Sequence, residues 1–307
     1  MDIKQSASPG SVEDVAAALA LNSYLADEGL ATAIFLALTL ERPLFLEGEA
    51  GVGKTEVAKV LARWRGAKLI RLQCYEGIDV GQAVYEWDYA RQLLHLRTAE
   101  ATGVAGASDA DRLESELYDL RFLVRRPILE ALSADVGSPP PVLLIDEIDR
   151  ADDEFEAFLL EALSEYSVTI PELGTIKAVV PPTVILTSNR TRDVHDALKR
   201  RTLYHWVDHP DFEREVEIIK LRAPGVGDQL AAQVAAATEG MRAFGLYKPP
   251  GVAEAIDWAM SLAALGRTSL DESVVSATLG AVLKYREDQE RVRSKGLGEL
   301  ITSGLIR

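Results

Sequence analysis

The chain has 307 residues, of which 48% are apolar and 26% are charged. This length and composition predict a globular protein with one large α/β domain and a smaller second domain. The net charge of −15 argues against a general affinity for nucleic acid, because binding to phosphate backbones requires clustered Lys and Arg. The single cysteine, Cys74, excludes an internal disulfide and favours a reducing compartment.

Nothing at the N-terminus resembles a secretory signal, and residues 1–12 are predicted to form a flexible tail. Helical patterns fill residues 12–27 and continue through residue 40. The longest apolar stretch, residues 30–40, is about half the length that crosses a bilayer, so it predicts a buried helix. We therefore expect a cytoplasmic protein without a membrane span.

The most informative motif is a phosphate-binding loop. Residues 48–55 read GEAGVGKT, an intact G-x-x-x-x-G-K-[ST] pattern, between an apolar run at 43–46 and helix-forming residues at 56–63. The pattern alone occurs by chance in about one chain of this length in a hundred, and a strand before it with a helix after it makes coincidence much rarer. Because free N–H groups at the start of such a helix point at an anion, the sequence predicts a bound nucleoside triphosphate.

The loop is expected to bind the nucleotide through Gly48, Glu49, Ala50, Gly51, Val52, Gly53, Lys54, Thr55 and Glu56. Lys54 should reach the β- and γ-phosphates, and Thr55 should ligate Mg²⁺. The alternative, a lysine that merely begins a surface helix, is disfavoured by its neighbours in the motif.

Between this loop and the next buried strand the patterns are mixed. Residues 68–74 predict a short strand on which Cys74 is a buried structural thiol rather than a reactive one. Residues 84–96 fit either a β-hairpin that carries aromatic residues or a loop that leads into a helix. Residues 102–111 predict a mobile surface loop, and residues 113–135 predict a helix that a Gly/Pro-rich stretch ends.

Two adjacent carboxylates follow the next apolar run. Residues 142–145 are typical of a strand covered on both faces, and Asp146 and Glu147 come directly after them. A buried strand holds its last residues rigidly at the C-terminal edge of the sheet, where ligands of α/β proteins bind. Asp146 is therefore expected to hold Mg²⁺ through water, and Glu147 to polarise the attacking water. The alternative is a solvated turn, which the upstream loop disfavours.

A helix predicted at 152–166 leads to two further strand signals. Residues 167–180 predict a hairpin that turns at 172–174, and residues 183–187 predict another buried strand. Asn189 follows that strand, and its amide offers both a donor and an acceptor with which to orient the water. An asparagine that merely ends a strand in a turn is the alternative.

Two adjacent arginines, Arg200 and Arg201, follow residues 194–199. One interpretation is that they are cations at a helix C-terminus, where the macrodipole favours positive charge. The other is an arginine finger, a guanidinium that stabilises charge on the γ-phosphate bound by a neighbouring subunit. Spacing alone favours neither interpretation.

Strands separated by helices predict the α/β fold class, with a doubly wound, mostly parallel P-loop sheet followed by a small all-helical lid domain. Helical patterns without strand signals fill residues 213–221, 229–244, 252–265 and 270–293. The predicted division is an ATPase core at 13–208, with hairpin insertions near 84–96 and 167–180, and a helical lid at 209–307.

Together these motifs resemble those of the AAA+ ATPases, with Walker A and Walker B sequences, and more narrowly the MoxR family. The most family-specific run is LLIDEIDRADDEFEAFLLEALSEYSVTIPELG at 143–174, followed by ILTSN at 185–189 and ALKRR at 197–201. The resemblance covers residues 30–265. The segments RLQCYEGIDVGQAVYEWDYARQ, ALKRRTLYHWVDHPD and KPPGVAEAIDWA are most similar to the CoxD-type branch, whose members accompany carbon monoxide dehydrogenase and related molybdenum enzymes.

The resemblance implies a hexameric ring that binds ATP between subunits and has insertion hairpins near a central pore. It also implies a chaperone that remodels or matures a client enzyme, often with a von Willebrand A-domain protein as adaptor. Asn189 then corresponds to the sensor-1 residue, and Arg200 or Arg201 to the finger that acts on the neighbouring subunit.

One segment departs from the AAA+ pattern. Residues 248–254 read KPPGVAE and lack the sensor-2 arginine that AAA+ proteins usually carry early in this helix. Lys248, or Arg242 from the preceding helix, is the candidate to replace it. This departure puts in doubt how tightly the lid responds to the bound nucleotide.

The combined prediction is a Mg²⁺-dependent AAA+ ATPase that works as a homo-oligomeric ring and remodels a protein client, with metalloenzymes among the candidate clients. Its expected catalytic residues are Lys54, Glu147, Asn189, Arg200 and Arg201. A nucleic-acid motor or loader would share this core but need a basic groove. A small-molecule kinase would share the loop but have no use for paired carboxylates or paired arginines. A module that binds ATP only to assemble ranks last, because all the catalytic residues are present.

Overall fold

The computed structural model describes residues 9–101 and 110–302. Residues 1–8 of the predicted tail and most of the predicted loop at 102–111 lie outside the described residues. The strands are β1 (Leu44–Glu47), β2 (Leu69–Gln73), β3 (Tyr85–Trp87), β4 (Leu123–Arg125), β5 (Val142–Asp146), β6 (Ser167–Ile170), β7 (Gly174–Lys177), β8 (Thr183–Ser188) and β9 (Leu203–Trp206).

The helices make up about half of the described chain, and the first two of them precede β1. They are α1 (Val12–Leu21), α2 (Glu28–Leu40), α3 (Lys54–Arg65), α4 (Val80–Ala83), α5 (Tyr89–Ala101), α6 (Ala110–Leu117), α7 (Pro127–Leu132), α8 (Asp153–Glu165), α9 (Asp196–Arg201), α10 (Phe212–Arg222), α11 (Asp228–Arg242), α12 (Val252–Ala264), α13 (Glu272–Val282), α14 (Arg286–Lys295) and α15 (Leu297–Thr302). The predicted fold class, a parallel α/β sheet followed by a helical region, is confirmed.

A central sheet carries the fold, with its strands in the order β2-β5-β8-β1-β9. Strand β5 pairs in parallel with β2 on one side and with β8 on the other, and this register sets Gln73 opposite Asp146. All five residues of β5 are buried, as expected of a strand covered on both faces. The predictions of strands at 68–74, 142–145 and 183–187 are confirmed. Strand β9 was not predicted, because its four residues are only half-buried or exposed and form no apolar run.

The two predicted hairpin insertions have different outcomes. The hairpin at 167–180 is confirmed, since β6 and β7 pair antiparallel. Of the two interpretations of residues 84–96, the β-hairpin is wrong, because β3 ends at Trp87 and pairs antiparallel with β4, far along the chain, and the alternative of a segment that leads into a helix is closer to the structure. A helix follows at Tyr89, so this segment is a strand that leads into a helix. The partner of β3 lies within residues that read as helix, and so the pairing had no local signal.

The helix predicted at 113–135 is also wrong, because a strand interrupts it. Proline has no N–H to donate and its ring clashes with the preceding turn, so Pro127 cannot lie inside a helix and instead begins one. The residue before a proline prefers an extended backbone, and Arg126 has φ −89° and ψ 172°. The pattern at 270–293 likewise divides into α13 and α14, with Leu283 extended between them.

The chain divides into two compact units. Among the described residues, the first unit contains Ala33–Phe45 and Leu61–Tyr204. The second unit contains Ser11–Thr32, Leu46–Val60 and the residues from His205 onward. The predicted boundary between core and lid at residue 208 stays a prediction.

Each unit has a hydrophobic core of its own. In the first, apolar side chains of β2, β5 and β8 pack with those of α7 and α8, around Leu143, Ile145 and Phe155. In the second, α10 to α13 pack around Trp258, which is fully buried and donates its ring N–H to the Thr278 hydroxyl at 2.8 Å. A buried indole N–H needs such a partner, because an unpaired donor in a core costs about 1–3 kcal/mol.

Candidate functional site

The predicted phosphate loop lies in the second unit, between β1 and α3. Close approach of the backbone requires glycine at position 48, where a Cβ would lie 2.3 Å from the carbonyl oxygen of Val207. The ammonium group of Lys54 is buried and donates to the carbonyl oxygens of Gly48 at 2.8 Å and Glu49 at 2.6 Å. Thr55 is the second residue of α3. The loop thus begins a helix whose first N–H groups have no carbonyl partner within the helix, which suits an anion.

Glu56 connects the first turn of α3 to the helical part of the second unit. Its carboxylate accepts from Arg222 at 3.1 Å and lies 3.3 Å from the ammonium of Lys59. Burial alone would raise the pKa of Glu56, but the bonds to Arg222 and Lys59 outweigh it and the pKa is lowered. Glu56 therefore stays ionised and fixes the start of the helix.

Two neighbours of the loop had no sequence signal. The ring of Tyr24 lies 3.7 Å from where a Cβ would stand at Gly53, and burial raises the pKa of its hydroxyl, which keeps it neutral. The imidazole of His209 lies 3.1 Å from the Glu49 carboxylate. Both come from distant parts of the chain, and neither belongs to a recognisable motif.

The predicted carboxylates lie in the first unit, at the end of β5. Asp146 is 3% exposed, and one of its oxygens accepts from the Thr187 hydroxyl at 2.5 Å. Its other oxygen accepts from the Arg71 guanidinium at 2.6 and 3.1 Å. A nearly buried carboxylate requires such partners, because an unpaired buried charge is costly.

Glu147 has an unusual backbone conformation, with φ 56° and ψ 52°. For a residue other than glycine this left-handed region costs about 1–3 kcal/mol, and such residues persist where their surroundings fix them, often at functional sites. Here the Glu147 N–H donates to the Thr187 hydroxyl at 3.0 Å, so one threonine holds both the Asp146 carboxylate and the Glu147 backbone.

The Glu147 carboxylate is held by two side chains. The Gln73 amide donates to it at 3.1 Å, and Arg150 donates to the same oxygen at 3.0 Å. Gln73 in turn accepts from Arg71, so the chain of contacts runs from Asp146 to Glu147 through the polar face of β2. The sequence analysis missed this network. The sequence contained one signal for it. On β2 the polar residues Arg71 and Gln73 alternate with the apolar residues Ile70 and Leu72.

Asn189 directly follows β8, as predicted, and is half-buried. Within residues 9–101 and 110–302, its amide makes no hydrogen bond. The chain after it is anchored firmly, since Thr191 donates to the buried Asp149 at 2.8 Å and His195 N–H donates to the buried Glu156 at 2.8 Å. These contacts fix the path of the chain from β8 to α9.

The two predicted arginines differ in their partners. Arg201 donates to the carbonyl oxygen of Leu160 at 3.3 Å and to the Ser164 hydroxyl, which ties it to α8. Arg200 is exposed at the end of α9, and its guanidinium has no partner in the part of the chain that the structure describes. Its carbonyl oxygen accepts from Arg42 at 3.2 Å, so the backbone at this position is held while the side chain is not.

Cys74 is fully buried after β2, and the prediction of a structural thiol is confirmed. Burial, together with the negative charge of Asp146 and nearby carboxylates, raises the pKa of the thiol to about 12. Its N–H donates to the Asp146 carbonyl oxygen at 2.8 Å. A neutral, inaccessible thiol is neither a nucleophile nor a metal ligand.

The two candidates for a missing sensor-2 arginine are also placed. Arg242 forms a double hydrogen bond with Glu215, which is 1% exposed, at 2.6 and 2.8 Å. It also donates to the Pro250 carbonyl oxygen at 2.8 Å, so its guanidinium is committed to the second unit's own structure. Lys248 is exposed, and its N–H donates to Asp288 at 3.0 Å.

None of the helices in the described ranges is long and apolar enough to cross a membrane.

A family model described as AAA domain (dynein-related subfamily) matches residues 43–202. A search of curated proteins finds no match.

Solved structures of RuvB from Thermotoga maritima resemble this chain in fold. One RuvB mutant is 17% identical with a TM-score of 0.49, over 82% of this chain and 67% of its own. The RuvB Holliday junction branch migration motor is 16% identical with a TM-score of 0.48, over 90% of this chain and 84% of its own.

Proposed function

The chain belongs to the AAA domain (dynein-related subfamily) family of ATPases, and from this premise we propose that it is a ring-forming, Mg²⁺-dependent ATPase that remodels a protein client. Within the family we propose a MoxR-type chaperone of the CoxD branch. The single observation that carries the ring is Arg200, an exposed guanidinium on a fixed backbone with no partner among the described residues of its own chain. Such a cation suits a phosphate bound by a neighbouring subunit.

In this proposal the phosphate loop contributes the phosphate contacts. The N–H groups of the loop and the Lys54 ammonium bind the phosphates, and Thr55 contributes a hydroxyl ligand to Mg²⁺. Asp146 holds Mg²⁺ through water, and Glu147 polarises the attacking water. Asn189 orients that water and senses the γ-phosphate with an amide that makes no other hydrogen bond among the described residues.

The donor set fits magnesium. Mg²⁺ prefers hard oxygen ligands and keeps several of its waters, and Asp146 offers a buried carboxylate that already attracts a cation. When bound, the ion would neutralise charge that develops on the phosphates. Glu147 is then the group that accepts a proton, and its fixed left-handed backbone keeps the carboxylate beside the end of β5.

Removing the counter-ion of Asp146 tests the magnesium assignment. In Arg71→Met the carboxylate loses its cation, so we expect a free energy of unfolding lower by about 1 kcal/mol, since half of the Arg71 side chain is exposed and its charge is screened. Mg-ADP should then raise the Tm of Arg71→Met by about 2–4 °C more than it raises that of the wild type, because the metal supplies the missing positive charge. Thermal melts with and without Mg-ADP measure this.

Arg267→Met is the control for loss of one positive charge, because the Arg267 side chain is exposed and has no partner among the described residues. Its Mg-ADP increment should equal that of the wild type. Equal increments in all three proteins would contradict Asp146 as a magnesium ligand.

The proposed client is a protein, and metalloenzymes are among the candidates. We propose β7 for contact with it, because this strand of the hairpin is mostly exposed and Val179, just after it, is exposed as well. A von Willebrand A-domain adaptor belongs to the same proposal, as does a cytoplasmic location, which the single reduced cysteine favours. The division into an ATPase core at 13–208 and a lid at 209–307 is also proposed.

Two rival functions have direct tests. A nucleic-acid motor or loader would bind DNA or RNA at low salt, whereas the charge of −15 predicts a flat fluorescence-anisotropy titration. A small-molecule kinase would transfer phosphate to a metabolite, whereas the proposed ATPase releases free phosphate steadily. We favour the ATPase over the kinase because Glu147 is held beside Asp146 and Arg200 is exposed.

The ring itself is tested by the solution mass of Glu147→Gln, measured by light scattering with and without Mg-ATP. The variant should bind ATP without hydrolysing it, and so hold the assembled state. We expect a species near six subunits, because a bound nucleotide contacted by two subunits favours their association. A monomer under saturating Mg-ATP would overturn the ring and the role of Arg200 in it.

A further inference from the structure

The start of helix α12 lies directly against the phosphate loop, and both belong to the second unit. The Ala253 N–H donates to the Gly51 carbonyl oxygen at 3.2 Å. A Cβ at Gly251, the residue before the helix, would lie 2.7 Å from the Gly51 Cα and 2.9 Å from the Ala50 carbonyl oxygen. The helix therefore touches the loop through backbone atoms, at a distance that admits only hydrogen at position 251.

The loop side of this contact also requires glycine. Gly51 has φ +82°, a conformation that side chains rarely adopt, and a Cβ there would lie 3.1 Å from the Gly251 Cα. The same Cβ would lie 2.7 Å from the Glu254 carboxylate. Gly51 is one of the residues whose backbone is expected to bind phosphate, so the contact joins the nucleotide-binding backbone to a helix of the lid.

The segment before α12 is fixed to the rest of the helical region. The Gly251 N–H donates to the Glu254 carboxylate at 3.0 Å, which closes the first turn of the helix. The Pro250 carbonyl oxygen accepts from Arg242, and Arg242 is held by the buried Glu215. The position of Gly251 therefore follows the position of the helices α10 and α11.

We propose that the contact between Gly51 and Gly251 couples the lid to the bound nucleotide, in place of a sensor-2 arginine. The inference rests on the proposed nucleotide binding at the loop. Phosphates that accept hydrogen bonds from the loop hold its backbone in one conformation, and the start of α12 docks on that conformation through the Ala253 N–H. By linkage, docking of the helix and binding of the nucleotide each favour the other.

This arrangement explains what Arg242, one of the two sequence candidates, does instead. Arg242 acts on Glu215 and Pro250, and so holds the segment that carries Gly251 rather than touching phosphate. The coupling contact itself contains no cation, so it should change little with ionic strength, unlike a bond between a guanidinium and a phosphate.

Two glycine variants test the proposal, because Gly251 and Gly227 both precede a helix in an extended conformation. Gly251 has φ −85° and ψ −177°, and Gly227, before α11, has φ −70° and ψ 158°. A Cβ at Gly227 meets nothing within 4 Å. Alanine is free of backbone strain at both positions and changes the helix cap in the same way. The two variants differ in the clash with the loop, so only Gly251→Ala should push α12 away from it.

The measurement is equilibrium titration of each protein with a fluorescent ADP analogue. We expect Gly251→Ala to bind about tenfold more weakly than the wild type, as a coupling of this kind typically changes affinity between about 5-fold and 150-fold. Gly227→Ala should bind like the wild type. The weakening in Gly251→Ala should be the same at low and high salt.

Hydrogen exchange in the unmodified protein provides a second test that does not depend on a variant. The Ala253 N–H lies in the first turn of its helix, where no carbonyl of that helix accepts it, so its protection reports the bond to Gly51. ADP should slow exchange in peptides that cover residues 250–256. In Gly251→Ala the nucleotide should have no such effect.

The outcomes separate this inference from the function on which it rests. Equal affinity of Gly251→Ala and Gly227→Ala, or exchange at 250–256 that ADP leaves unchanged in the wild type, would overturn the coupling alone. A wild-type protein that binds no nucleotide would overturn the proposed function, and the coupling with it.

Discussion

Replacing Glu147 by glutamine is expected to lower ATP turnover about a hundredfold or more while ATP still binds. A carboxylate that polarises the attacking water typically contributes 10²–10⁴-fold, and an amide of the same shape cannot accept the proton. The steady-state rate of phosphate release and the affinity for a fluorescent ATP analogue measure the two effects separately. We expect the rate to fall and the affinity to stay within a few fold of the wild type.

The side chain at position 147 is held by two donors, so the control must separate loss of the base from loss of structure. Glutamine keeps an oxygen that accepts from Gln73 at 3.1 Å in the wild type, and gives up the charge that faces Arg150. Because both members of that ion pair are about a third or more exposed, its loss should change the free energy of unfolding by less than about 1 kcal/mol.

Glu154→Gln is the matched control, since Glu154 is exposed in the first turn of α8 and loses the same charge without touching the carboxylates of β5. Its turnover should equal that of the wild type. Near-normal turnover of Glu147→Gln would remove Glu147 from the reaction.

The parts of the fold that the sequence predicted are those with local signals. Residues 142–145 form an apolar run bounded by prolines and carboxylates, and β5 lies there. Strand β9 has no such run. It is an edge strand, and its residues are paired with β1 without being buried on both faces, so they need not be apolar. Pro127 carried a clear local signal for a helix start, and the continuous helix predicted across it neglected this.

The site divides in the same way. The loop residues and the pair Asp146 and Glu147 stand in contiguous motifs, so the sequence alone is enough to predict roles for them. Arg71 and Gln73 reach those carboxylates from a neighbouring strand, and only the register of β2 with β5 places them there. The contact of Gly51 with Gly251 joins positions two hundred residues apart, and no spacing rule predicts it.

The loss of Arg200 is expected to have the larger effect of the two arginine substitutions. A finger that acts on a neighbour's γ-phosphate typically contributes 10³–10⁵ to kcat, so Arg200→Ala should lower turnover about a thousandfold or more. Arg201→Ala should keep most of the turnover, because Arg201 is bonded to Leu160 and Ser164 of its own chain. The free energy of unfolding of Arg201→Ala should be lower by about 1 kcal/mol, because the hydrogen bonds to Leu160 and Ser164 are lost.

Mixing two inactive proteins tests whether Arg200 acts between subunits. Arg200→Ala keeps Glu147 but lacks the finger, whereas Glu147→Gln keeps the finger but lacks the base. In a random equal mixture half of the sites have the base, and half of those face a neighbour with Arg200, so about a quarter of wild-type turnover should return. Phosphate release from the mixture, compared with the sum of the separate proteins, measures this.

The result distinguishes three arrangements. Recovery in the mixture with Arg200→Ala, while Arg201→Ala alone keeps its turnover, would mean that the guanidinium without a partner among the described residues completes the site of the next subunit. Recovery with Arg201→Ala instead would mean that its bonds to α8 break on assembly, and would reverse the roles of the two arginines. No recovery with either variant, at concentrations where light scattering finds mixed rings, would mean that each subunit hydrolyses ATP with its own residues. The ring would then contribute to remodelling through geometry alone, because no subunit would need its neighbour for chemistry.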